Sequence, residues 1–206
     1  MNSPPEATIY LLDDDSLVLM RLQQLLESRN YTVIPYQNPV DFLKLDEPRP
    51  LSCAFVDFQM PELDGLEVQK MVRKKNWILP LIFISAHGTV SIATEAMKQG
   101  GIDFIEKPLN ERNVISAAER ALSQAEKKHR ARCERKDARK KLRTLSRREI
   151  EVLEFLMEGS LNKQVAYDLG ISERTVKIHR AKILEKLGVE SIAQVIPIVM
   201  AARLRL

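Results

Sequence analysis

Apolar and polar positions along the first 120 residues alternate between two periods. Ile9-Tyr10-Leu11-Leu12 is a short apolar run that ends in Asp13-Asp14-Asp15, after which Leu19, Leu22, Leu25 and Leu26 recur at helical spacing. Residues 31–34 form the next strand pattern, which Pro35 confines to a sheet edge or an early end. Helical or strand patterns then alternate through 40–45, 54–57, 65–75, 81–85, 90–98 and 104–106, with a last helix from about Glu111. Five strands, each followed by a helix, predict a doubly wound, flavodoxin-like parallel sheet. Sites in such sheets lie beyond the carboxyl ends of the strands, where strand order reverses. Asp13, Asp14, Asp57, Ser85 and Lys107 all stand at or just past predicted strand ends, so they are expected to converge in one crevice.

The second half reads as helices only. Residues 126–143 hold ten Lys/Arg and three acidic residues without Pro or Gly, which predicts that the helix from Glu111 runs on to about Arg143, a length of roughly 50 Å. Leu122, Ala125, Cys133, Ala138 and Leu142 keep no heptad register, so a coiled coil is not supported. This segment is expected as a solvated helical linker, with contact to a DNA backbone as the competing reading. Ser146-Arg147-Arg148-Glu149 forms a capping box before Ile150, Leu153, Leu156 and Met157. Asn162 is expected to cap a short helix to Leu169, and Ser172 a longer one over residues 173–187 ended by Gly188. Two short helices joined by Gly170-Ile171-Ser172 read as a helix-turn-helix. A final helix opens at Ser191 and carries Pro197, which is expected to kink it.

Charge separates the two halves. Residues 1–122 carry 12 Lys/Arg against 17 Asp/Glu, a net of −5, whereas residues 123–206 carry 20 against 11, a net of +9. An acidic half joined to a basic half suggests two tasks, the second involving a polyanion. Cys53 and Cys133 have no metal-like spacing, no run approaches a membrane span, and the N-terminus shows no signal pattern; a cytoplasmic protein with reduced thiols is expected.

Clustered carboxylates repel one another, and a divalent cation relieves them. Oxygen donors favour Mg²⁺, which takes one or two carboxylates and completes its shell with water and phosphate oxygens. A metal beside a carboxylate nucleophile suits phosphoryl transfer. The ordered motifs LLDDDS, VDFQMPELDG, ISAHG and DFIEKP closely resemble the receiver domain of response regulators over residues 7–125. The resemblance implies that Asp57 accepts the phosphoryl group. It implies that Asp13, Asp14 and Asp57 hold Mg²⁺ with the Gln59 carbonyl, Asp14 being the direct ligand. It also implies that Ser85 and Lys107 engage the phosphoryl group, that Phe104 is the aromatic that moves in response, and that Lys107–Pro108 is cis. Gln59 and His87 flank the route of an attacking water and are expected to tune phosphoryl lifetime, while Asp15 is a turn residue.

On a helix starting at Glu173, Val176, Ile183 and Leu187 share an inward face, leaving Arg174, Lys177, Ile178, Ala181 and Lys182 outward. Ile178 is expected against a thymine methyl, and Lys177 at a base edge or a phosphate. His179 and Arg180, together with Asn162, Lys163 and Thr175 near helix starts, are expected on phosphates. The stretch NKQVAYDLGISERTVKIHRAKILEKLGV resembles the DNA-binding domain of the LuxR/NarL regulators, a likeness covering residues 142–204. Relatives often carry a polar residue at Ala181. The organisation expected is a receiver over 1–122, a basic helical linker over 123–143 and a four-helix helix-turn-helix domain over 144–206, as in FixJ-like response regulators. That resemblance implies a phosphorylation-dependent transcriptional regulator, usually an activator, and not an enzyme. Its partners would be a histidine kinase, promoter DNA, a second copy of the chain through Ile192, Val195, Ile196 and Val199, and RNA polymerase where it activates. Two other readings compete. One is an aspartyl-nucleophile phosphatase, which would need an acid where Gln59 stands; the other is a DNA-binding protein whose first half is only a dimerisation scaffold.

Overall fold

The computed structural model describes residues 7–86 and 90–202, with the backbone alone for residues 90–92. The chain divides into two compact units, Met1–His129 and Arg130–Leu206.

The first unit is built on five parallel strands in the order β2-β1-β3-β4-β5. These are β1 (Thr8–Leu12), β2 (Thr32–Tyr36), β3 (Ser52–Asp57), β4 (Leu81–Ser85) and β5 (Asp103–Glu106). Helices α1 (Ser16–Glu27), α2 (Pro39–Leu43), α3 (Gly65–Lys74), α4 (Val90–Lys98) and α5 (Glu111–Leu142) connect and follow them. β2 starts one residue later and ends two residues later than the 31–34 pattern suggests, so Pro35 lies inside it, tolerated because β2 is an edge strand, where a missing N–H costs no ladder bond.

Strand alternation sorts the two faces. Ile9, Leu11, Cys53, Phe55, Ile82 and Ile84 point into one apolar layer with Leu19, Leu22 and Leu26 of α1 and Val114, Ala117 and Ala121 of α5. Tyr10, Leu12, Ala54, Val56 and Phe83 point into the other, with Phe42, Val68, Val72 and Ala96. Central strands buried on both faces read as continuous apolar runs, as these do. Strand order reverses between β1 and β3, so the carboxyl ends carrying Asp13 and Asp57 are neighbours.

The second unit holds α6 (Arg147–Met157), α7 (Asn162–Asp168), α8 (Glu173–Leu187) and α9 (Ile192–Ala202) around one apolar core. Three expectations change here. Residues 123–143 are not a uniformly solvated linker: Ala138 and Leu142 are buried in this core, and the Arg139 guanidinium donates to the Ala202 carbonyl at 3.1 Å. The unit boundary therefore falls within α5 rather than at its end. Asn162 does not cap α7. Leu161 occupies that position, and the Gln164 side chain accepts its N–H at 2.8 Å. On α9, Val195 and Val199 face the unit's own core, leaving Ile196 and Met200 as the exposed apolar residues. Pro197 sits within α9 without ending it.

Candidate functional site

The crevice at the strand ends is assembled by local chain chemistry. Asp15 accepts the Leu17 N–H at 2.8 Å and caps α1, so the turn after β1 stops where Asp13 is buried and Asp14 is left exposed. Asp57 is the last residue of β3 and is also buried. Behind it, Asp64 and Glu67 form a reciprocal capping box that starts α3. Gly65 lets that helix approach the strand end: a Cβ there would stand 3.1 Å from the Phe83 ring and 3.3 Å from the Asp57 carbonyl. Ser85 is buried at the end of β4, adjacent to the Ile84 that pairs with Asp57. Its carbonyl accepts the Lys107 N–H at 2.8 Å, and the Lys107–Pro108 peptide is cis.

Lys107 joins the set. Its ammonium lies 2.8 Å from Asp57 Oδ1 and 2.9 Å from Asp13 Oδ2. The remaining carboxylate oxygens take backbone amides, Asp57 Oδ2 from Gln59 at 2.8 Å and Asp13 Oδ1 from Asp15 at 2.9 Å. Burial pushes the Asp13 carboxyl above its ordinary value and the neighbouring Asp57 charge adds to this, against the opposing pull of Lys107 and the Asp15 amide. For Lys107, burial favours the neutral amine, but its hydrogen bonds to Asp57 and Asp13 outweigh that and raise it above the usual lysine value. The ammonium is thus held charged between two carboxylates that would otherwise repel.

Among the described residues, no three His, Cys, Asp or Glu side chains form a closed metal cage. Two buried carboxylates and one exposed one, all oxygen donors, are compatible in chemistry with a hard divalent cation such as Mg²⁺ that completes its shell with water. Gln59 is exposed, and its N–H rather than its carbonyl meets Asp57. His87 lies outside the described residues. Phe104 is half-buried, its ring centroid 6.1 Å from that of Phe58, which in turn is 6.1 Å from Phe83. Phe58, the residue directly after Asp57, was not singled out from sequence. Its contact with Phe104 is a matter of side-chain geometry, for which the sequence carries no signal.

The second candidate surface is α8. Ser172 caps it through a 3.1 Å bond from the Thr175 N–H, and Gly188 ends it at φ 67°, a left-handed conformation suited to glycine. Val176, Ile183 and Leu187 are buried, while Arg174, Lys177, Arg180, Ala181 and Lys182 are exposed. Ile178 is 47% exposed among these charges. Thr175 is half-buried and its hydroxyl bonds to Ser172 at 2.8 Å, so it holds the cap before it touches any ligand. Lys163 is exposed on α7. Asn162 Oδ1 and His179 Nδ1 are buried and lack a hydrogen-bond partner among the described residues, so those two atoms do not face a phosphate directly. A half-exposed pair ties the helices behind this surface: Lys186 of α8, open to water on one side, lies 2.6 Å from the buried Glu149 of α6. Burial raises the Glu149 carboxyl, but its bonds to Lys186 and Ser146 more than offset this and hold it below the usual carboxylate range.

Residues 9–119 match the family described as response regulator receiver domain, and residues 143–199 match the bacterial regulatory proteins of the luxR family. The response regulator protein TmoT of Ectopseudomonas mendocina is 37% identical over 93% of this chain and 87% of its own length. The transcriptional regulatory protein FixJ of Azorhizobium caulinodans is 35% identical over 97% of this chain and 94% of its own. Among solved structures, the response regulator StyR superposes with a TM-score of 0.85 at 34% identity, covering 95% of this chain and 98% of that one. Full-length FixJ from B. japonicum matches with a TM-score of 0.59 at 32% identity, covering 98% of this chain and all of that one.

Proposed function

This chain belongs to the response regulators that join a receiver domain to a LuxR-family DNA-binding domain, and we propose from that membership that phosphorylation of Asp57 switches its DNA binding. It is a transcriptional regulator of a two-component system. The observation that carries the proposal is Lys107, held between Asp57 and Asp13 at the reversal point of the sheet.

In this reading Asp57 Oδ attacks the phosphorus of a donor phosphoryl group; the new bond is a carboxyl-phosphate, and the donor's leaving atom departs with the electron pair. Asp13, Asp14 and Asp57, with the Gln59 carbonyl, would hold Mg²⁺, which neutralises charge on the transferring group. Lys107, already charged and shared between two carboxylates, takes one phosphoryl oxygen, and the Ser85 hydroxyl takes another. The added charge, about −1.5 to −2, redirects Ser85, and Phe104 packs into the space that this opens. Gln59 and His87 set the exposure of the bond to water. The donor is a histidine kinase. The groove beside Lys107, about 660 Å³ and lined by Val18, Leu22, Leu25 and Leu109 together with Arg21, Gln24 and Glu111, offers that partner a mixed apolar and polar surface.

The output is binding of promoter DNA by α8, with Lys177 and Ile178 at base edges and Arg174, Arg180, Lys182 and Lys163 on the backbone. Phosphorylation favours a homodimer that spans two half-sites, and activation adds RNA polymerase as a partner. The protein acts in the cytoplasm and as a regulator rather than an enzyme. Among the described residues no helix is long and apolar enough to cross a membrane.

Incubation with acetyl phosphate and Mg²⁺ tests the central step by intact mass. The expected result is one added phosphoryl group on the wild type and none on Asp57→Asn or in the presence of a chelator. A phosphoryl group retained by Asp57→Asn would overturn the assignment.

A further inference from the structure

The positive charge of the second half is distributed unevenly. Residues 144–206 hold ten Lys/Arg and eight acidic residues, a net of only +2, whereas residues 126–143 hold ten against three, a net of +7. The attraction of a protein for a duplex comes mainly from cations placed on phosphates. The two segments hold equal numbers of cations, but most of the net positive charge lies on the last turns of α5, not on the helix-turn-helix.

Those turns belong structurally to the second unit, because Ala138 and Leu142 are buried in its core. With that face inward, Lys136, Lys140 and Arg143, spaced four and three residues apart, share an outward stripe. All three are exposed, and among the described residues none has a side-chain hydrogen bond or ion pair. Glu134 falls on the far side of the helix and Asp137 at the border of the stripe. Like charges three and four residues apart weaken a helix, a cost that the helix dipole offsets only for Lys140 and Arg143 at the C-terminal end. Its length of about 10 Å spans several phosphates of a duplex, which carries one charge per ~1.7 Å.

We infer that the Lys136–Lys140–Arg143 stripe of α5 is a second DNA contact, gripping backbone phosphates that flank the site read by α8. The inference rests on the DNA-binding reading of α8 given above. It makes α5 part of the nucleic-acid interface and supplies the sequence-independent share of affinity that a nearly neutral helix-turn-helix lacks.

The test is fluorescence anisotropy of the full chain on a labelled duplex of about two helical turns, between about 50 and 200 mM salt. Lys136→Gln/Lys140→Gln/Arg143→Gln is compared with two controls: Lys70→Gln/Arg73→Gln/Lys74→Gln, the same charge change on exposed α3 residues, and Lys177→Gln/Lys182→Gln on α8. Each lost phosphate contact flattens the plot of log affinity against log salt by about 0.9, so the stripe variant should lose up to about 2.7 in slope. Across a fourfold rise in salt, the wild type should then weaken about 40-fold more than the stripe variant, while the α3 control follows the wild type. If the stripe variant keeps the wild-type slope while the α8 variant loses affinity, the inference fails and the DNA reading stands. If the α8 variant also binds as the wild type does, the DNA reading fails and the inference with it. Unchanged DNA binding with lost adsorption to phosphatidylserine vesicles would assign the stripe to membranes and overturn it.

Discussion

At the scale of single residues, the crevice depends on one cation satisfying two carboxylates. Lys107→Met should leave Asp13 and Asp57 facing each other uncompensated, destabilising the receiver by about 1–3 kcal/mol at neutral pH. Lys107 is raised in the folded state, so its stabilisation is present below its unfolded value and is lost as pH rises through the raised one. Toward acid the cost of Lys107→Met should shrink, because protonated carboxyls no longer repel; urea denaturation at acidic and neutral pH measures both. Glu149 has the opposite sign. Its folded value is lowered, so its contribution is present above the unfolded value near 4.5 and is lost as pH falls through the folded one. Glu149→Gln should destabilise the second unit only modestly at neutral pH, because Lys186 keeps access to water, and flatten the acid limb of the melting temperature against pH. The carboxylates, Ser85 and Lys107 were legible in sequence because each ends a strand, and sheet topology alone brings strand ends together. That Lys107 already bridges Asp13 and Asp57 was not legible, since only side-chain geometry shows it. The role of Phe58 was hidden for the same reason, because an aromatic after a strand reads as core.

At the scale of elements, α8 separates stability from recognition. Ile178 is half-exposed, so Ile178→Ala should change stability by no more than about 0.5 kcal/mol yet weaken binding to a site selected from random duplexes by several-fold, leaving arbitrary duplex unaffected. Ser172→Ala should instead cost about 1 kcal/mol of thermal stability, because it frees the Thr175 N–H at the start of the helix. A calorimetric scan beside a binding titration distinguishes the two. Periodicity located α8 and its faces because one apolar stripe met one core. The family resemblance offered Ile192, Val195, Ile196 and Val199 of α9 to a second copy of the chain, but Val195 and Val199 serve the unit's own interior. An almost wholly apolar helix has no polar face to show which side turns inward. Asn162 looked like a cap by residue type, but the chain places Leu161 at that position and the Gln164 side chain satisfies the orphan amide.

At the scale of the molecule, α5 belongs to both units. A fragment starting at Thr144 loses the burial of Ala138 and Leu142 and the Arg139–Ala202 bond, and should be less stable than one starting at Arg130 by about 2–4 kcal/mol, as read by thermal melting. The charge run had masked this: ten cations read as solvated, and the two apolar positions among them, Ala138 and Leu142, showed no register. The acidic and basic halves were legible from charge alone, and their division of labour followed once the strand-end carboxylates had been placed. The central claim is that occupancy at Asp57 governs what α8 does. The most direct test measures association state and DNA affinity of the full chain with Mg²⁺ and beryllofluoride, a phosphoryl mimic, beside an Asp57→Ala control. The account predicts dimers and tighter DNA binding only when both the mimic and Asp57 are present. DNA binding that proceeds unchanged with or without the mimic would make the receiver a scaffold and contradict the switch.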